Sequence, residues 1–264
     1  LRHGTIATVS DPHEIANVLG VEGVNFMINN SKLVPQKFFF GAPSCVPATD
    51  FETSGCRIDA EQIDNLLQKN EIYFLAEMMN YPGVVFGDKQ VAKKIQLAQK
   101  YAKPIDGHAP LLKGEQLKKY VEVGISTDHE CTNIDEALEK IALGMKILIR
   151  NGSAAKDFDS LFELIDNYPD KVMFCTDDCH PDDLLDHHIN DLVKKSIAKG
   201  ANLFNVLQAA CINPVVHYKL PVGLLKIGDK ADFIVVDNLQ NFSLKEMFID
   251  GKCVFDNNRI NFNI

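Results

Sequence analysis

Residues 124–149 read GISTDHECTNIDEALEKIALGMKILI. The stretch opens on a short apolar run, Gly124–Ser126, and closes on another, Lys146–Ile149. Between them Ile134, Ala137, Leu138 and Ile141 recur at spacings of three and four. That period places them on one face of a helix over Asn133–Leu143, with Thr132 or Asn133 as the N-cap ahead of Glu136. Strand, helix and strand in about 26 residues make a parallel βα unit.

The same unit recurs on both sides. Upstream, strands are predicted at Thr5–Val9, Lys37–Phe40, Ile72–Ala76 and Pro104–Asp106, with an amphipathic helix over Asp88–Ala102. Downstream, a helix over Asp157–Asn167 leads to a strand at Val172–Cys175. The count is seven strands, and a closed (β/α)8 barrel needs eight. The alternative is an open doubly wound sheet, but no glycine-rich phosphate turn follows any strand. The expected class is therefore α/β, an incomplete TIM-like barrel. Two helices, Pro181–Lys199 and Asn202–Cys211, carry the chain to Asn213-Pro214. The tail, with GLLKIGDKADFIVVD and a hairpin turn at Asp250-Gly251, reads as antiparallel strands. The expected division is a barrel over 1–215 and part of a small β-sandwich over 216–264.

Composition bounds the function. Asp and Glu total 36 against 27 Lys and Arg, a net charge of 9 negative, which argues against a duplex nucleic acid as partner. The longest uncharged stretch, Gly200 to Tyr218, carries three Asn, a Gln, a His and a Pro, so no segment is expected to cross a membrane. Seven Cys without a C-x-x-C pair fit a reducing, cytoplasmic compartment. The opening LRHGTIATVSDPHE has neither an initiator Met nor an apolar leader, and runs almost at once into a core strand. The expectation is a fragment of a longer protein. Its outermost strands, Thr5–Val9 and Val172–Cys175, would have unpaired edges, so association with a missing N-terminal piece, or with a second copy as a homo-oligomer, is expected.

Chemistry in a parallel barrel sits just past the C-terminal strand ends. The third predicted strand ends in Glu77, the fourth runs into His108, the fifth into His129 and the seventh into Asp177-Asp178. Each alone reads equally well as a helix cap or a structural hydrogen-bonder. Two imidazoles and two carboxylates from four strands, all at one end, make a metal site of the kind that suits Zn, Fe or Mn.

Seven blocks then carry a resemblance: DPHEIANVLG (11–20), FGAPSCVPATDFETSG (40–55), LAEMMNYPGVVFGD (75–88), KPIDGHAP (103–110), GISTDHECT (124–132), KILIRNGSAAKD (146–157) and FCTDDCHPDDLL (174–185). In order and spacing they resemble the adenine deaminases of the amidohydrolase superfamily. The resemblance implies a distorted metal-dependent barrel with a binuclear divalent centre, Mn or Fe and possibly Zn. It implies adenine as substrate, hydrolysed to hypoxanthine and ammonia in purine salvage. By resemblance, Glu77 is the bridging carboxylate after the fourth barrel strand, and His108 and His129 are ligands after the fifth and sixth. Asp177, after the eighth, binds metal and moves protons. The activated hydroxide would add to C6, Asp177 would pass a proton to the departing amine, and Glu77 would lend one to a ring nitrogen. Candidate substrate contacts are His13 and Glu14 in the DPHE loop, Ser153, Asp178 and His180. The family's first-strand His-x-His pair is absent, since neither His3 nor His13 supplies one, and so is its C-terminal domain. Little activity is therefore expected of these residues alone. The alternatives are another amidohydrolase, such as an N-acetyl-sugar deacetylase, or a non-catalytic truncated chain.

Overall fold

A computed structural model describes residues 1–49 and 51–263. Four parallel strands come first, in sequence order: β1 (Ala7–Ser10), β2 (Lys37–Ala42), β3 (Ile72–Met78) and β4 (Ile105–Gly107). Three more follow: β5 (Thr127–Asp128), β6 (Lys146–Arg150) and β7 (Val172–Cys175). A parallel bridge between Ile105 and Ile125, with Ser126 N donating to Ile105 O at 3.0 Å, joins the two sets. The described residues thus carry seven parallel strands in chain order, with β1 and β7 outermost.

The strands alternate as a sheet covered on both faces must. Phe40 and Leu75 face the helix layer, in a core with Val24, Ile63, Leu66 and Ile95, while Phe39, Phe74 and Ala76 face the other way. That second face curls. Phe39 and Phe74, from β2 and β3, share one cluster with Met173 of β7 and with Tyr218 and Leu220. Strands several places apart in the sheet can meet only if it bends toward closure, as in a TIM-like barrel. Asn213 covers the carbonyl side of β7, its Nδ2 donating to Val172 O and to Pro169 O at 2.7 Å each.

Helix boundaries follow local chemistry. The helix Ile134–Ala142 starts at Asn133, whose side chain accepts from Glu136 N, and Lys89–Lys100 starts at Asp88, which accepts from Val91 N. The helix expected over Asp157–Asn167 divides into Phe158–Leu161 and Leu164–Asn167, where Ile165 N turns back to Phe162 O. The one expected over Pro181–Lys199 divides into Asp183–Asp186 and Ile189–Ala198, because His187 is extended (φ −157°, ψ 165°). His188 lies at that break, 2.6 Å from Thr5 Oγ1, and burial pulls its pKa down to about 4.

The tail is antiparallel, as its hairpin signal predicts: β8 (Phe233–Val236), β9 (Leu244–Ile249), β10 (Lys252–Asp256) and β11 (Arg259–Ile260), in spatial order 11-10-9-8. The β9–β10 turn has both Asp250 (φ 48°) and Gly251 (φ 78°) in the left-handed region that a two-residue hairpin turn requires. Leu1 and Ile6 pack onto this sheet's core of Met247, Ile249, Val254 and Phe255. Lys37, at the start of β2, reaches buried Asp232 at 2.6 Å and Asp250 at 2.9 Å, clasping the two sheets together.

Candidate metal centre

Strand polarity delivers the polar residues to one rim. Glu77 is the penultimate residue of β3, His108 follows β4, His129 follows β5, Arg150 ends β6, and Asp177 lies two residues past β7. Glu77 is the hub. Its Oε2 lies 2.8 Å from His108 Nδ1 and 3.1 Å from His129 Nε2, and its Oε1 lies 3.4 Å from His13 Nδ1. The His108 and His129 rings meet edge to face at 5.2 Å. His13 is held from behind by Asp11 Oδ2 at 3.0 Å, while Asp11 Oδ1 is buried without a hydrogen-bond partner among the described residues.

The donor atoms fall into overlapping groups: Glu77, His108 and His129; Asp11, His13 and Glu77; His129, Glu130 and Asp177. Within each, the candidate ligand atoms lie within 4.8 Å of one another. Imidazole nitrogens and carboxylate oxygens are the donors that Zn, Fe and Mn accept. The unpartnered Asp11 oxygen beside the hub is an acceptor awaiting positive charge. On both counts the residues fit divalent cations.

The electrostatics of the cluster make the same point. Burial disfavours charge on Glu77, but hydrogen bonds from His108 and His129 outweigh it and hold its carboxyl well below the usual range. Burial likewise disfavours a charged His13, yet Asp11, Glu77 and Glu14 raise its pKa to about 9. Glu77, Asp128 and Asp177 raise that of His129 to about 9 against the same burial cost. The protonated imidazoles supply the positive charge that this ring of carboxylates demands.

Asp177 joins through a guanidinium. Arg150 Nη1 donates to Asp177 Oδ2 at 3.0 Å and also binds Glu130, while its Nε donates to Asp157 Oδ2 at 2.7 Å. Asp177 sits at φ 56°, an uncommon angle for a residue with a side chain. Glu130 Oε1 lies 3.4 Å from His129 Nε2 and 3.7 Å from His108 Nδ1. Sequence reasoning missed Arg150 and Glu130. The available signals were a cation ending the apolar strand KILIR and a second acid directly after His129.

The candidate substrate residues divide. His13 belongs to the cluster. Glu14 extends from it into solvent, its Oε1 3.2 Å from His13 Nε2. Ser153, Asp178 and His180 brace two loops against each other: Ser153 N donates to Asp178 O at 2.9 Å, His180 N donates to Ser153 Oγ at 2.7 Å, and Ser153 Oγ donates to Asp183. These bonds order the loops after β6 and β7 and include no member of the Glu77 group.

Residues 1–254 match the amidohydrolase family. The chain is 56% identical over 260 residues to an adenine deaminase of Methanosarcina acetivorans, covering 98% of this chain and 47% of that protein. It is 54% identical over 256 residues to one of Parabacteroides distasonis, covering 97% and 47%. The chain spans about half the length of the curated relatives it matches. Among solved structures, a beta-aspartyl dipeptidase from Fervidobacterium islandicum superposes with a TM-score of 0.73 at 18% identity, over 100% of this chain and 76% of that one. An N-acetylglucosamine-6-phosphate deacetylase from Pasteurella multocida gives 0.66 at 13%, over 99% and 78%. No described helix is long and apolar enough to cross a membrane. The family match over nearly all of its length, on a curled parallel sheet with its acids and imidazoles at one rim, shows that this chain belongs to the amidohydrolase family.

Proposed function

We propose that this chain is part of an adenine deaminase, converting adenine and water to hypoxanthine and ammonia. Similarity to adenine deaminases at 54% to 56% identity over nearly the whole chain carries the reading. Residues 1–215 are assigned to the (β/α) barrel and 216–264 to part of a small β domain, in a protein that assembles as a homo-oligomer. Glu77, His108, His129 and Asp177 would hold a binuclear centre of Mn or Fe, or of Zn. When bound, the divalent ions supply Lewis acidity that makes water a nucleophile at neutral pH.

This chain's own residues handle the protons. Replacing the C6 amine by oxygen forms one C–O bond, breaks one C–N bond and redistributes the two protons of a water molecule. One must reach the amine so that it leaves as ammonia, and the other must reach N1 of the ring. Asp177 takes the first: its carboxyl is aimed by Arg150 and stands at the rim beside His129 and Glu130. Glu77, at the rim between His108 and His129, passes the second to the ring nitrogen. His13 and Glu14, with Ser153, Asp178 and His180 at the adjoining loops, line the substrate's approach.

The test is ammonia release from adenine by the protein at its full natural length. Asp177→Asn keeps the shape and removes the base, so turnover should fall at least about 100-fold, the usual scale for a lost acid–base group. Undiminished turnover would remove the role from Asp177, and no release by the wild type would reject the substrate.

A further inference from the structure

Two buried side chains outside the candidate ligand set tie together the backbone segments that carry Glu77, His108 and His129. The first is Tyr120, on the helix Gly114–Glu122, fully buried. Its hydroxyl accepts from His108 N at 2.9 Å and donates to Met78 O at 2.8 Å. One oxygen thus bridges the residue after Glu77 to the backbone of His108. The fit leaves no slack: a Cβ on Gly107 would lie 3.1 Å from that hydroxyl and 2.3 Å from Thr127 O.

The second is Lys140, on the helix Ile134–Ala142, also fully buried. Its ammonium donates to Ala109 O at 2.8 Å, Asp128 Oδ2 at 2.8 Å and Glu136 Oε1 at 2.7 Å. Asp128 in turn accepts from Ala109 N at 2.8 Å and Glu130 N at 3.1 Å, and Glu136 from Leu111 N at 2.8 Å. The ammonium therefore joins the residue after His108 to the residues on either side of His129. Continuous bracing runs from Met78 through Tyr120 to His108 and Ala109, then through Lys140 and Asp128 to His129.

We propose that Tyr120 and Lys140 are positioning residues of the cation site, fixing the spacing of Glu77, His108 and His129. The inference rests on the reading that these three hold a divalent ion. An apolar side chain would fill either position without the desolvation that a buried hydroxyl and ammonium incur. What apolar packing cannot do is lock a carbonyl and an amide from different strands at one distance. Ligand geometry is sensitive on the scale of half an ångström, and loss of an orienting partner typically costs 10- to 100-fold in metal affinity.

The test uses the full-length protein stripped of metal and titrated with Co(II), read by the ion's visible absorption and by competition with a chelator. Tyr120→Phe and Lys140→Met are compared with the wild type, and Ser196→Ala serves as a control that loses a buried hydroxyl bonded to Leu192 O, within its own helix. Tyr120→Phe should bind Co(II) about 10- to 100-fold more weakly, with an altered spectrum, while Ser196→Ala matches the wild type. Lys140→Met should do the same if it folds, and Tyr120→Phe, which loses a single oxygen, decides the matter if it does not. Wild-type affinity and spectrum in folded Tyr120→Phe would overturn the inference and leave the cation site standing. A wild type that takes up no Co(II) would overturn both.

Discussion

Lys140→Met is expected to be among the most destabilising single substitutions in this chain. The side chains of Lys140, Asp128 and Glu136 are all fully buried, with the ammonium 2.8 Å from one carboxylate and 2.7 Å from the other. Burial opposes charge on both Lys140 and Asp128, yet each shifts the other toward its ionised form. Met replaces the stem at similar volume, so little is lost in packing. What is lost is the charge facing two dry carboxylates. Breaking a buried pair typically costs 3–5 kcal/mol, and the shared ammonium puts this case at the upper end, about 5 kcal/mol. For a large domain each kcal/mol is about 2–4 °C, so the melting temperature should fall by about 10–20 °C. Urea unfolding of metal-free protein measures it. The triple variant Lys140→Met, Asp128→Asn, Glu136→Gln should recover part of the loss, because no buried charge is left unpaired; the amide oxygens keep the bond from Leu111 and one of those from Ala109 and Glu130, which reach opposite oxygens of Asp128. A loss below about 1 kcal/mol in the single variant, or no recovery in the triple, would refute the assignment of the cost to unpaired buried charge.

The clasp between the sheets should appear in the acid limb of stability. Burial disfavours charge on Asp232, but Asp250 N, Lys37 and Gly223 N outweigh it and depress its pKa. Its stabilisation is therefore complete above the unfolded value of about 3.9 and is lost as pH falls through the lower folded value. Asp232→Asn should be less stable than wild type at pH 7 and should show a shallower decline under acid; parallel curves would refute the clasp. At the rim, Arg150→Lys keeps the charge but cannot hold Asp157 and Asp177 with one planar fork. Steady-state kinetics on adenine should show kcat down at least about 10-fold with KM changed little, and an unchanged kcat would free Asp177 from this tether.

The site was legible wherever one residue type sat at a strand end, and illegible wherever its partner came from elsewhere. Glu77, His108 and His129 each follow an apolar run, and a parallel sheet delivers all such positions to one edge. The same logic misplaced β5. An apolar run stops at the first polar residue, so the strand is predicted at Gly124–Ser126, yet Thr127 and Asp128 form it, fully buried. They are buried because Asp106 accepts from Thr127 Oγ1 and Lys140 donates to Asp128. Neither partner is visible from the strand itself. Lys140 and Glu136 are likewise polar positions of an amphipathic helix, which read as solvated until Asp128 and Ala109 are brought against them. The loop contacts were hidden for the converse reason. Ser153, Asp178 and His180 stand near strand ends, but their backbone groups and the Ser153 hydroxyl bond loop to loop.

Charge connects these observations. At the rim, Asp11 approaches Glu77 and Glu130 approaches Asp177, and the Arg150 guanidinium between the latter two is shared with Asp157. Against the cost of burial, the neighbouring carboxylates raise the pKa of His13 and of His129 to about 9. Divalent ions and these protons compete for the same carboxylates and the same imidazole nitrogens, so near neutral pH each ion taken up must release protons. The braces behind the rim face no such exchange: Tyr120 stays neutral through burial, and Lys140 is sealed among its three acceptors. A cluster whose charge changes with its occupant keeps its geometry only if the groups spacing it do not titrate with it, and the hydroxyl of Tyr120 and the ammonium of Lys140 meet that condition.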